Sequence, residues 1–335
     1  MNADGSGSVP LTRFTAQVLL DVNSSASVNG PAWSLDGKKI AFLSQGALDG
    51  SNATDANGNV NIWVMNSDGS NPTPLTRLTA APLQIGGVGP SILAFKWSSN
   101  GTKIAFASTG ALDSSDAINA NGNGNIWAMN ADGSSPTPLT KFTGLQIPPP
   151  LLGGIGPGSY NPVWSPDGSK IAFASTGALD GTNAVNTNDI ENIWVMNSDG
   201  SNATAITHFT ALFIQAISDM AWSPDGKRLS FVCNCALDGS DNPTRTRNIW
   251  LVNADGSART PLTQSSNALV QSGGPVWSLD GTRIFFHSNR DLGGTDNPIG
   301  PIQDNLWVIN ADGSGVKPLT NLVALGATSV FPSVQ

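Results

Sequence analysis

Five polar stretches hold the residues of this chain best suited to chemistry: 44–61, 108–125, 175–192, 232–248 and 288–305. Four of them carry Ala-Leu-Asp, at Asp49, Asp113, Asp180 and Asp238, and the fifth carries Asp291. Asp55, Asp116, Asp189, Glu191, Asp241, Asp296 and Asp304 complete the set. These 12 of the 24 acidic residues face only three bases, Arg245, Arg247 and Arg290, so the stretches sum to −9 where the whole chain is −8. Hard cations take several oxygen ligands from carboxylates, amides and backbone carbonyls, and calcium is the ion such loops would hold. The candidate ligands are Asp49, Asp55, Asn57, Asn59, Asp113, Asp116, Asp180, Asp189, Asp238 and Asp241. None of the stretches has the spacing and terminal Glu of a helix-loop-helix calcium site. The competing reading is turn chemistry, in which Asp and Asn side chains cap an extended loop.

Other chemistry is sparse. The two histidines, His208 and His287, fall in different parts of the chain and cannot build a His-rich metal centre. His208 stands where similar segments carry Arg77 or Lys141, which reads as a solvated position. No Gly-x-Ser-x-Gly nucleophile elbow occurs. Carboxylates are numerous enough for a glycosidase pair, yet nothing in the sequence singles out two. Cys233 and Cys235 are the only cysteines and replace small residues equivalent to Ser175 and Gly177, so they read as two thiols. Tyr160, Phe142, Phe209 and Phe213 lie in loops and are the candidates for stacking on a ligand.

The elements that position these residues come from a repeat. A unit typified by PVWSPDGSKIAFAS…NIWVMNSDGSNATAIT recurs five times, about 31–94, 95–161, 162–219, 220–274 and 275–327. Partial units at 1–15 and 328–335 read as end strands that patch five blades, as a thin sixth blade, or as the cut ends of a longer repeat chain. Each unit has two tryptophans: Trp33 and Trp63, Trp97 and Trp127, Trp164 and Trp194, Trp222 and Trp250, Trp277 and Trp307. Each also has two tight Asp-Gly or Asn-Gly turns. The segments between turns alternate in period two or are β-branched and aromatic, so each unit predicts four short strands. Such a unit is too small to bury a core alone and must stack on its neighbours. The expected fold is all-β: a β-propeller of four-stranded antiparallel blades, five- or six-bladed, forming one domain over 1–335. The tryptophans, at fixed strand positions, read as packing between blades.

The series P-x-W-S-P-D-G, K-I-A-F, N-I-W-V-M-N-x-D-G-S and L-T resembles the TolB-like propeller repeat, most clearly at 162–172, 192–201 and 220–226. That resemblance covers nearly the whole chain. It implies a propeller and a periplasmic or secreted location. It does not imply one activity, because such repeats occur in periplasmic binding proteins, peptidase propellers and polysaccharide lyases.

In up-and-down blades the Asp-Gly turns fall at one end and the acidic inserts at the other. The inserts share their end with strongly apolar inter-blade loops, 78–92, 142–160, 209–217 and 267–274. Those loops pack together over the centre or form an exposed patch. A binding site is expected on this long-loop end. A pI near 4.5 argues against nucleic acid, and no apolar run is long enough to insert in a membrane. The sequence therefore points to a non-catalytic scaffold for a protein or carbohydrate partner, with calcium as the candidate ion. The alternative is a lyase or glycosidase that uses insert carboxylates. Terminal strands could also pair between molecules, giving self-association.

Overall fold

The computed structural model describes residues 10–12, 28–46, 59–79, 90–112, 123–142, 158–177, 179, 191–209, 217–235, 243–292 and 304–322. Its twenty strands form five antiparallel sheets, each with its strands in chain order. The first blade is β1 (Val28–Trp33), β2 (Lys39–Ser44), β3 (Asn61–Asn66) and β4 (Thr73–Pro74). The second is β5 (Ile92–Trp97), β6 (Lys103–Ser108), β7 (Asn125–Asn130) and β8 (Thr137–Pro138). The third is β9 (Ser159–Trp164), β10 (Lys170–Ser175), β11 (Asn192–Asn197) and β12 (Thr204–Ala205). The fourth is β13 (Ser218–Trp222), β14 (Arg228–Cys235), β15 (Pro243–Asn253) and β16 (Thr260–Pro261). The fifth is β17 (Ser272–Trp277), β18 (Arg283–Ser288), β19 (Asn305–Asn310) and β20 (Lys317–Pro318). No helix occurs among the described residues.

The chain divides into two compact units, 1–145 with blades one and two, and 146–335 with blades three to five. In the first unit Ala41 and Ile62 pack with Ile104, Phe106 and Trp127 of the next blade. In the second unit Ala172 and Ile193 meet Leu229 and Phe231. Val232 and Ile249 likewise meet Ile284, Phe286 and Trp307. Each second strand puts a phenylalanine opposite the third-strand tryptophan, as in Phe42–Trp63, Phe106–Trp127 and Phe231–Trp250. These phenylalanines are fully buried; truncating one to alanine costs about 3–5 kcal/mol.

The first-strand tryptophans lock one blade to the next. Trp97 Nε1 donates to Ala32 O at 3.3 Å, Trp222 to Val163 O at 3.2 Å and Trp277 to Ala221 O at 3.3 Å. Nine tryptophans are buried or half-buried, which agrees with packing between blades; Trp33, at 51% exposure, is the exception. Of the partial unit at the N-terminus, Leu11 is described. It packs with Ile40, Phe42, Trp63 and Met65 and lies against Gly69, the place that Leu75 takes against Gly133 of the second blade. That is the position expected of a fourth-strand segment.

The turns are built alike in all blades. At the first turn the serine hydroxyl donates to the aspartate two residues on (Asn100 in the second blade), and that side-chain oxygen accepts a backbone N–H from beyond the glycine. Examples are Ser34–Asp36–Lys38 and Ser165–Asp167–Ser169. At the second turn the aspartate accepts the N–H of the serine after the glycine, as Asp68 does from Ser70 and Asp312 from Ser314.

Candidate functional site

At the long-loop end every blade carries one buried clamp. The asparagine that opens the third strand meets the threonine of the Leu-Thr segment. In the second blade Thr140 Oγ1 donates to Asn125 Oδ1 at 3.1 Å, and the Phe142 N–H donates to the same oxygen at 2.8 Å. The Ile126 N–H donates to Thr140 Oγ1 at 2.9 Å. The geometry repeats at Asn61–Thr76–Leu78, Asn192–Thr207–Phe209, Asn248–Thr263–Ser265 and Asn305–Thr320–Leu322. One side chain thus ties the end of the acidic insert to the root of the inter-blade loop. Its type and spacing are visible in N-I-W and L-T, but sequence reading assigned both to the strands alone.

Insert ends also reach the next blade. Glu191 Oε2 accepts the Ile217 N–H at 2.9 Å, and the Arg247 N–H donates to Gln271 Oε1 at 3.0 Å. Arg247 also donates through Nη2 to Ser218 Oγ at 2.6 Å. In the fifth blade His287 Nδ1 and Asp304 Oδ2 are 2.9 Å apart. The other side of this ring abuts the inner strand. A Cβ added at Gly273 would stand 2.8 Å from His287 Nε2 and 3.5 Å from Asp219 Oδ2. Asp219 holds a left-handed conformation, φ 51°, at the bulge of β13 and accepts the Gly274 N–H at 3.3 Å. Asp219, His287, Asp304 and Arg247 therefore gather where blades four and five meet. The imidazole, held by Asp304 and lying beside Gly273, is 20% exposed at that junction.

Of the sequence candidates, Asp49, Asp55, Asn57, Asp113, Asp116, Asp180, Asp189, Asp238, Asp241 and Phe213 lie outside the described residues. Asn59 is fully buried at the end of its insert. Among the described residues no group of three His, Cys, Asp or Glu side chains is placed to hold a metal. Phe142 and Phe209, expected as exposed stacking rings, are 1% and 3% exposed. The clamp draws their backbone down, and Phe209 lies under the Arg259 guanidinium at 4.7 Å. Tyr160 is half-buried in β9. His208 is exposed, as expected of a solvated position. Leu78, Ile217 and Val270 are buried while Leu269 is 68% exposed, so the described apolar loop residues divide between packed and exposed.

Cys233 and Cys235 correct the sequence reading of two thiols: they are joined by a disulfide. The other blades explain why two residues so close can pair. In the third blade the Gly177 N–H folds back onto Ser175 Oγ at 3.1 Å, and Cys235 N–H makes the same contact with Cys233 Sγ at 3.1 Å. This turn holds the two Cα atoms 5.2 Å apart, within bridging range.

The Asp-Gly turns at the opposite end show the perturbed acids. Hydrogen bonds from Ser165 and Ser169 hold the Asp167 carboxyl down to about 2, and those from Ser278 and Thr282 do the same for Asp280, to about 2. The serine after the glycine lowers Asp68, Asp132, Asp199, Asp255 and Asp312 in the same way. These are structural caps.

No family model matches the chain. A stretch of 80 residues is 39% identical to dipeptidyl-peptidase 5 of Porphyromonas gingivalis, which is 23% of this chain and only 10% of that protein. Solved structures match at far greater length. A putative TolB from Agrobacterium tumefaciens superposes with TM-score 0.53 and 19% identity, over 88% of this chain and 81% of that one. TolB from Acinetobacter baumannii gives TM-score 0.50 and 17% identity, over 85% of this chain and 53% of that one. A puromycin-hydrolyzing peptidase of Mycobacterium tuberculosis gives TM-score 0.52 and 14% identity, over 89% and 39%. At these identities the likeness is one of fold: this chain is a β-propeller, similar in fold to TolB.

Proposed function

We propose that this TolB-like β-propeller is a non-catalytic binding protein that engages a protein partner through the long-loop end of its blades. The observation that carries the reading is the clamp. Five copies of one buried asparagine–threonine pair fix the roots of loops whose sequences differ from blade to blade. A rigid base under variable loops is how scaffolds present binding surfaces. The inserts add a net charge of −9, which favours a partner with a basic contact surface. The alternative, a lyase or glycosidase using insert carboxylates, draws on a set in which Glu191 is engaged by the Ile217 N–H and Asp304 by His287. A periplasmic or secreted location accompanies this reading, supported by the Cys233–Cys235 disulfide. No helix among the described residues is long and apolar enough to cross a membrane.

Cross-linking in an extract of the source cell, followed by mass spectrometry, tests the surface. Cross-links should concentrate in 44–61, 108–125, 175–192, 232–248 and 288–305. They should disappear when Asp49, Asp113, Asp180 and Asp238 are changed together to asparagine. Cross-links confined to the Asp-Gly turns, or turnover of an acidic polysaccharide by the purified protein, would overturn the reading. Calcium belongs to the same surface as its proposed ion. Millimolar calcium should raise the melting temperature of the wild type and leave that of the fourfold variant unchanged; no rise in the wild type removes the metal from the proposal.

A further inference from the structure

At the Asp-Gly end of the first unit, blades one and two enclose a cavity of about 380 Å3 lined by Asp36, Lys39, Trp97, Ala131 and Asp132, among others. What it would accept can be read from the junction of blades four and five. There Arg228, Trp277 and Ala311 stand where Lys39, Trp97 and Ala131 stand in the first junction. The correspondence is atomic. Lys39 and Arg228 each donate a backbone N–H to a turn serine at 2.9 Å. Trp97 and Trp277 each donate Nε1–H to the preceding blade at 3.3 Å. The Ala131 and Ala311 N–H groups each bind the threonine carbonyl of the facing turn at 2.9 Å.

At the later junction the space is filled from within. The Arg228 guanidinium lies 4.9 Å over the Trp277 ring and donates from Nη1 to Ala311 O at 3.3 Å. At the first junction Lys39 makes neither contact among the described residues. Its ammonium is a compact point charge without the planar fork that stacks on an indole. Trp97 is half-buried, where Trp277 is 5% exposed and Trp222, although also faced by a lysine, Lys170, is 8% exposed. The equivalent cavity between blades three and four is smaller, about 210 Å3, and its lining residues do not include Trp222.

We propose that the cavity between blades one and two is a receptor for the guanidinium of an arginine side chain carried by a partner protein. It would stack on Trp97 and donate to Ala131 O. Charge favours this occupant. Among the lining residues Asp36 and Asp132 outnumber Lys39 by one, with Lys38 standing beside Asp36 outside the lining. Each carboxylate uses Oδ1 for its own turn and leaves Oδ2 without a hydrogen bond among the described residues. Those oxygens can take the remaining guanidinium N–H groups. This site lies at the end opposite the proposed partner surface and does not depend on it.

The test is titration of the full chain with acetyl-Gly-Gly-Arg-Gly-Gly-amide and with the same peptide carrying citrulline, followed by calorimetry and by the Trp97 indole NMR signal. The arginine peptide should bind and shift that signal, and citrulline, without the charge, should bind about tenfold more weakly. Lys39→Arg is the decisive variant. It should fill the cavity as Arg228 does, weaken the peptide by at least about tenfold and shift the Trp97 signal without any peptide. Asp132→Asn should weaken binding while leaving the fold intact. No binding of the arginine peptide, equal binding of citrulline, or unchanged affinity in Lys39→Arg would each overturn the proposal.

Discussion

Asn125 shows how one residue can set the form of a surface without lying on it. Its side chain is 3% exposed and accepts from Thr140 Oγ1 and the Phe142 N–H. Replacing it with alanine would strand two buried donors, and each orphaned polar group costs about 1–3 kcal/mol. Asn125→Ala should therefore lower stability by about 2–4 kcal/mol in urea unfolding. Asn125→Asp keeps both accepted bonds but loses the Nδ2 donation to Phe142 O and buries a charge, so it should also destabilise. A loss under 1 kcal/mol for the alanine variant would show that the clamp adds little. Sequence reading saw the asparagine and the threonine as strand-end residues, 15 positions apart. Their meeting needs the third and fourth strands to lie side by side. The stacking roles first given to Phe142 and Phe209 failed for the same reason: the clamp that buries them joins residues distant in sequence.

At the scale of the strand, the bulge in the innermost strand is the feature with consequences. Gly30, Asn161, Asp219 and Gly274 occupy it with φ between 51° and 59°. Two glycines and an asparagine tolerate that conformation at little cost, and an aspartate pays more. Asp219 receives one long hydrogen bond, from Gly274 N–H at 3.3 Å. Asp219→Gly should thus be neutral or stabilising by up to about 1 kcal/mol, while Asp219→Val, β-branched in the left-handed region, should destabilise by more than that. Chemical denaturation of the two variants distinguishes the outcomes. A glycine variant clearly less stable than wild type would mean that the carboxylate braces blades four and five more strongly than its geometry implies. The strands themselves were legible in sequence, because tryptophans and Asp-Gly turns recur at nearly fixed spacing. The bulge was not legible, since no single residue type marks it. The disulfide was missed because its geometry depends on the folded-back end of β14, where Cys235 N–H meets Cys233 Sγ as glycine meets serine in the Ser-x-Gly segments of other blades.

Across the whole molecule the acids of the turns form one population, and pH acts on it. Nine turn aspartates, Asp36, Asp68, Asp132, Asp167, Asp199, Asp225, Asp255, Asp280 and Asp312, all have carboxyls held below the ordinary value by hydrogen bonds from serine or threonine and from backbone N–H. A carboxyl with a lower pKa in the folded state binds fewer protons than in the unfolded chain. Stability from these groups is complete above the unfolded pKa of about 3.9 and falls as pH drops toward the folded values. For Asp167 and Asp280 the folded value is about 2. Each group is exposed and contributes little, but they act in the same direction in both units. The urea midpoint should be flat from pH 7 to about 5 and fall steadily between about 4 and 2. Asp280→Asn should flatten that fall and lower stability slightly at pH 7, keeping the turn as Asn100 does by accepting from Ser98 and Thr102. A midpoint that stays flat down to pH 2 would show that the turn carboxylates do not set the acid limit of the protein.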